Sequence, residues 1–120
     1  MKSEFQGSLL RIHFGESDQW EGKPLHEAIV AKCRELGMAG VTVFRGIEGY
    51  GTSTRIRHAG LWSFSRDAPI LVTIVDTEEQ IRKLTPHLDA MVQEGLVVLS
   101  PVEVIRYSPS DNKAPQEKAR

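Results

Sequence analysis

Ile70-Leu71-Val72-Thr73-Ile74-Val75, followed by Asp76 and then Thr77-Glu78-Glu79-Gln80, is the stretch that decides the fold. A nearly continuous apolar run rich in β-branched residues suits a central strand covered on at least one face. Thr77 with Gln80 three residues later has the form of a capping box, so a helix follows the strand at once. Ile81, Leu84, Leu88, Met91 and Val92 carry its apolar stripe. Pro86 lies inside that stripe and predicts a kink or a restart there, with Thr85 as the cap, because proline cannot donate to the Arg82 carbonyl and its ring crowds the turn. Gly95 ends the helix. Val97-Val98-Leu99 and Val102-Glu103-Val104-Ile105-Arg106 then form a last strand, predicted to break or bulge at Pro101.

Toward the N-terminus the same alternation of elements recurs. Leu10, Ile12 and Phe14 share one face of a strand, with Arg11 and His13 on the other. Residues 15–23 read as a polar loop, and Pro24 suits the first helical position, where its missing N–H costs nothing. Leu25, Ala28, Ile29, Cys33 and Leu36 form the stripe of a helix, with the stem of Lys32 along its edge and Gly37 as a left-handed cap. Val41-Thr42-Val43-Phe44-Arg45-Gly46-Ile47 is a second strand. Gly46, Gly49 and Gly51 loosen the backbone around Tyr50, residues 52–58 are polar and basic, and residues 59–64 suit a short extended stretch. The order strand, helix, strand, loop, strand, helix, strand predicts an α+β fold: a ferredoxin-like βαββαβ sandwich with an added short extended stretch after the second strand. The domain runs over residues 9–107, after an N-terminal extension (1–8) and before a flexible tail (108–120). Both helices would cover one sheet face, so the apolar residues of the other face point to an oligomer interface.

The chain has 120 residues, with 15 Lys+Arg against 16 Asp+Glu, a net charge of −1 and one Cys. That length fits one domain. Charge balance removes the general electrostatic footprint of a nucleic-acid binder, and the sparse aromatics around the basic cluster offer no stacking platform. A single Cys fits a reducing, cytoplasmic setting. No apolar run approaches the roughly 20 residues of a membrane span, and the first residues lack an apolar signal core.

Several residues invite a chemical reading beside a structural one. The glycines at 46, 49 and 51 end a strand, or they give a loop whose amides, with Arg55 and Arg57, hold an anion. Glu16 and Asp18 cap a turn, or they hold a hard cation or form an acid–base pair. His26-Glu27 begins a zinc-helix pattern, but Val30 stands where its second His belongs. The four histidines have no ligand spacing. Cys33, on the apolar stripe, reads as buried and structural. Trp20 and Trp62 read as core or subunit-contact residues. No nucleophile, base and orienter share a spacing, so a non-enzymatic protein is expected.

Gly15-Glu16-Ser17-Asp18, Gly22-Lys23-Pro24-Leu25-His26-Glu27-Ala28-Ile29-Val30, residues 40–51 and Pro69-Ile70-Leu71-Val72-Thr73-Ile74-Val75-Asp76 together resemble the PII-like family catalogued as domain of unknown function 190. That resemblance covers residues 9–107 and places the chain in the nitrogen-regulatory PII-like superfamily. It implies a homotrimer that binds an adenine nucleotide between subunits and controls a partner, such as a membrane channel or transporter, through the loop after the second strand. Gly40-Val41-Thr42-Val43 resembles the strand beneath the nucleotide base, Gly49-Tyr50-Gly51 the root of the signalling loop, and Val104-Ile105-Arg106 the basic end of the last strand. The implied ligand-binding residues are Thr42, Arg45, Gly46, Gly49, Tyr50, Gly51, Arg55, Arg57 and Arg106, with no cofactor. Glu94-Gly95-Leu96-Val97-Val98-Leu99 replaces the superfamily's Gly- and Lys-rich phosphate loop with apolar residues, and the segment 52–58 is shorter than its long Tyr-bearing loop. Two other readings compete: a ligand-free structural trimer acting as a protein-binding module, and a metal-handling trimer resembling the divalent-cation-tolerance proteins.

Overall fold

The computed structural model describes residues 1–50, 57–58 and 67–109. Along them run β1 (Lys2–Gly15), β2 (Gln19–Trp20), β3 (Lys23–Pro24), α1 (Leu25–Glu35), β4 (Thr42–Arg45), β5 (Glu48–Gly49), β6 (Arg57–His58), β7 (Pro69–Asp76), α2 (Glu78–Met91) and β8 (Leu96–Tyr107). Four strands form one sheet in the order β4-β7-β1-β8, and every pairing is antiparallel. This is the ferredoxin-like arrangement that the alternation of elements predicts. The expected stretch at 59–64, Trp62 and the end of the tail lie outside the described residues.

Side-chain parity decides which face is the core. Leu10, Ile12 and Phe14 of β1 and Ile70, Val72 and Ile74 of β7 are buried against Leu25, Ala28, Ile29 and Cys33 of α1 and Ile81, Leu84, Leu88 and Met91 of α2. Trp20 packs on this cluster. On the opposite face the registers bring Phe44, Leu71, His13 and Leu96 into one row and Thr42, Thr73, Arg11 and Val98 into the next, with Val75 beside Leu9. Phe44, Val75 and Leu96 are exposed there. Neither helix covers that face.

α1 starts one residue later than predicted, with Pro24 in the N-cap position. Its C-terminus closes in the predicted way: Gly37 has φ +80°, its N–H donates to the Arg34 carbonyl, and the Met38 N–H donates to the Cys33 carbonyl. That double bond pattern is a Schellman motif. The loop 15–23 is more ordered than its polar composition suggests, because Glu21 and Gly22, both at positive φ, turn β2 into β3.

Three expectations need correction. α2 runs unbroken through Pro86; the Arg82 carbonyl that proline leaves without a donor lies 3.4 Å from the Thr85 hydroxyl, so Thr85 serves the helix interior and not a new N-terminus. β8 runs unbroken through Pro101, which pairs one-to-one with Ser8. β8 is an edge strand, so a residue lacking an N–H can sit there with its nitrogen toward the open side. Residues 2–8, read as an extension, are the first half of β1, paired from Lys2↔Tyr107 to Ser8↔Pro101. Since β7 ends at Asp76, opposite Ser8, the stretch of β1 before Gly7 and the end of β8 continue beyond the sheet as a two-stranded ribbon.

Candidate functional site

Where that ribbon leaves the sheet, it bounds a cleft of about 550 Å³. Phe5, Val104, Ile105, Arg106 and Tyr107 form the ribbon side; Thr73, Val75 and Asp76 of β7 lie at its base; Ala39, Gly40, Val41 and Thr42 form the facing wall. Thr42 and Arg106, far apart in sequence, therefore line one concavity. Gly7 makes the close approach possible. A Cβ there would stand 2.7 Å from the Asp76 carbonyl oxygen and 3.2 Å from Phe5 and Val104.

The facing wall follows α1 and is tied at several points. The Asp76 side chain is 1% exposed; its Oδ2 accepts from the Ala39 N–H at 2.9 Å and its Oδ1 from the Thr77 N–H at 2.7 Å. Thr77 Oγ1 accepts from the Gln80 N–H at 3.2 Å, which is one half of the expected capping box. The Gln80 side chain does not complete the box. Its amide donates instead to the Leu36 and Gly37 carbonyls, at 3.3 and 3.2 Å. The start of α2 thus caps the end of α1.

The other predicted residues lie at the opposite end of β4. Arg45 Nε donates to Glu16 Oε1 at 3.2 Å, and the same oxygen accepts from the Ala68 N–H at 3.3 Å. Gly46 donates its N–H to the Pro69 carbonyl at 2.7 Å and packs so closely on that ring that a Cβ would lie 2.8 Å from Pro69 Cγ. Ser17 Oγ donates to Asp67 Oδ1 at 2.8 Å. Glu16 therefore joins the point where the chain leaves the sheet to the point where it returns. Asp18 closes the turn after β1: its Oδ2 accepts from the Gly15 N–H at 3.2 Å. The two carboxylates serve separate local bonds.

Gly49 pairs with Arg57 and Glu48 with His58, so the described part of the basic segment is a short antiparallel ladder. Tyr50 is exposed. Gly51 and Arg55 lie outside the described residues, as does the Arg57 side chain. Among the described residues no three His, Cys, Asp or Glu side chains gather as a metal site, and no helix is long and apolar enough to cross a membrane. Burial on the α1 stripe pushes the Cys33 thiol up to about 11.

A four-stranded antiparallel sheet in this order with both helices on one face defines a ferredoxin-like α+β protein, here with a cleft where β1 and β8 outrun β7. The chain belongs to the DUF190 family, described as "Uncharacterized ACR", whose model matches residues 7–104. A UPF0166 protein of Aquifex aeolicus is 38% identical over 97 residues, covering 81% of this chain and 91% of the relative. A UPF0166 protein of Methanocaldococcus jannaschii is 28% identical over 102 residues, covering 84% and 94%. Among solved structures, CPII from Thiomonas intermedia K12, bound to ADP and bicarbonate, shares the fold with a TM-score of 0.65 at 17% identity, over 85% of this chain and 91% of that one.

Sequence reasoning missed Phe5 and Asp76. Phe5 lies in a segment whose strand character comes from pairing with β8, and Asp76 reads as a strand-end polar residue before a cap. The register of β1 on β8 is the signal that would have found Phe5, and it is a tertiary one.

Proposed function

We propose that this protein is a non-enzymatic, cytoplasmic PII-like regulator. An adenine nucleotide enters the cleft at a subunit boundary of a homotrimer, and the loop after β4 passes occupancy to a partner such as a membrane channel or transporter. The observation that carries the reading is that Thr42 and Arg106 line one cleft. Thr73 and Val75 offer it a polar and an apolar surface, and the Arg106 guanidinium suits a phosphate. CPII, the fold relative, was solved with ADP bound. The trimer rests on the uncovered sheet face, where Phe44, Val75 and Leu96 are exposed. Arg45, held by Glu16, together with Gly46, Gly49, Tyr50, Gly51, Arg55 and Arg57, belongs in this reading to the signalling loop and its root. A ligand that favours one loop state over another shifts the population and so transmits the signal.

Calorimetry with ADP, ATP and AMP tests the binding, and light scattering tests the assembly. A trimer mass and a saturable nucleotide response are expected. Arg106→Ala removes a charge-assisted contact of about 1.5–3 kcal/mol and should weaken binding roughly tenfold or more with the trimer intact. Replacing Arg55 and Arg57 together by Ala should also weaken it. A stable monomer at micromolar concentration, or silence toward all three nucleotides, overturns the reading.

A further inference from the structure

Resting on that reading of the cleft, we infer that Asp76 is a positioning residue for the ligand: its buried carboxylate holds the wall 39–41 in the shape that receives it. Residues 38–41 lie in neither helix nor strand. Ala39 and Gly40 are exposed, so little packing fixes them. Met38, buried in the core, and Val41, packed against it, flank them, and hydrogen bonds add to that hold. Upstream, the Met38 N–H is taken by the Cys33 carbonyl and the Gln80 amide holds the Leu36 and Gly37 carbonyls. Downstream, Thr42 enters the sheet opposite Thr73. Between these anchors, the Ala39 N–H bond to Asp76 ties the wall to the rest of the fold.

The chemistry asks for a carboxylate at this position. A group 1% exposed loses its hydration, a cost that bonds from two backbone amides help to offset. The two oxygens divide the work, Oδ1 on the first turn of α2 and Oδ2 on the cleft wall. An ionised carboxylate presents acceptors on both sides, whereas an asparagine presents one acceptor and one NH₂. Asp76→Asn keeps the shape of the side chain and sets a donor against a donor at one of the two amides. It separates the electrostatic role from packing.

The experiment measures amide exchange in ligand-free protein and ADP affinity by calorimetry, for wild type, D76N, T42V and the double variant. In D76N the amide of Ala39 should exchange about tenfold faster or more, and ADP should bind about tenfold more weakly, a change of 1.4 kcal/mol. If Asp76 shapes the wall that leads into Thr42, so that both act on one ligand surface, the double variant should lose less than the product of the two single losses. A residue needed for stability alone would lower the melting midpoint and leave the affinity of the folded protein unchanged. Wild-type exchange at Ala39 together with ADP affinity within about twofold of wild type, well inside 1.4 kcal/mol, overturns the inference. Should D76N fail to fold, A39P removes the donor and leaves the carboxylate in place; an unchanged ADP affinity in A39P is then the refuting result. Wild-type protein that binds no ADP refutes the nucleotide reading instead, and the exchange at Ala39 still decides whether Asp76 holds the wall.

Discussion

Gly7→Ala sets two opposed effects against each other, and the structure decides the sign. An alanine in the middle of a strand lowers the entropy of the unfolded chain and, where it fits, stabilises by about 0.4–1 kcal/mol. At Gly7 it does not fit. The new Cβ would meet the Asp76 carbonyl oxygen at 2.7 Å, well short of the 3.4 Å at which ordinary contact begins, with Phe5 and Val104 also crowded at 3.2 Å. The oxygen is backbone, held between the end of β7 and the start of α2, so a side-chain rotation cannot relieve it. Overpacking of this kind costs typically about 1–3 kcal/mol, and a contact with fixed backbone at 2.7 Å falls toward the upper part of that range, which leaves a net loss of roughly 1–2.5 kcal/mol. Urea unfolding of G7A should show the lower midpoint with an unchanged slope. Gly40→Ala is the control, because a Cβ there meets nothing within 4 Å; that variant should match wild type or exceed it. The displaced ribbon also carries Phe5 and Val104 away from the cleft, so ADP binding should weaken in G7A. A G7A protein as stable as wild type would refute the close approach on which the cleft geometry depends.

Cys33 should resist thiol reagents in the native protein, since burial pushes its thiol up to about 11 from 9.0. The folded state holds that proton more tightly than the unfolded chain, so its contribution is fully present below pH 9 and is lost as pH rises through 11. The loss is on the order of 2–3 kcal/mol; chemical denaturation across that window should show it shrinking in Cys33→Ala, and rapid native labelling would contradict it. Pro86→Ala restores a donor to the Arg82 carbonyl and removes the ring from the helix interior. It should raise stability by roughly 1–2 kcal/mol, less than the full cost of an interior proline because the Thr85 hydroxyl already approaches that carbonyl. A destabilised P86A in urea unfolding would show that the proline is a good fit to α2.

The sandwich was legible because its core residues follow simple periods. Leu10, Ile12 and Phe14 alternate, the stripe from Leu25 to Cys33 recurs at helical spacing, and Gly37 stands where a Schellman turn needs it. Local reasoning failed where tertiary pairing outweighs propensity. Ser3, Glu4, Gln6, Gly7 and Ser8 have little strand character of their own, yet β8 holds them in register over their whole length. Pro86 and Pro101 read as interruptions, but a neighbouring hydroxyl serves one and an open sheet edge accommodates the other. The cleft was legible in part. Thr42 and Arg106 came from resemblance to a family pattern; their common cleft, and the parts of Phe5 and Asp76 in it, depend on where β1 outruns β7.

The strand order also sets a timetable for the cleft. β1 precedes β7 and β8 in the chain and lies between them, so its partners are synthesised only after about three-fifths of the domain. Met1 and Ser108, 107 residues apart, meet at the end of the ladder, with the Ser108 N–H donating to the Met1 carbonyl at 2.9 Å. Pairings this remote in sequence require a large loop to close before they are rewarded, which slows folding. Until β8 leaves the ribosome, Leu10, Ile12 and Phe14 ride on a strand with an open edge, the kind of surface that recruits chaperones or other nascent chains. Arg106 arrives near the end of that wait. The cleft is thus among the last features of the fold to be completed, because its Arg106 side arrives with β8.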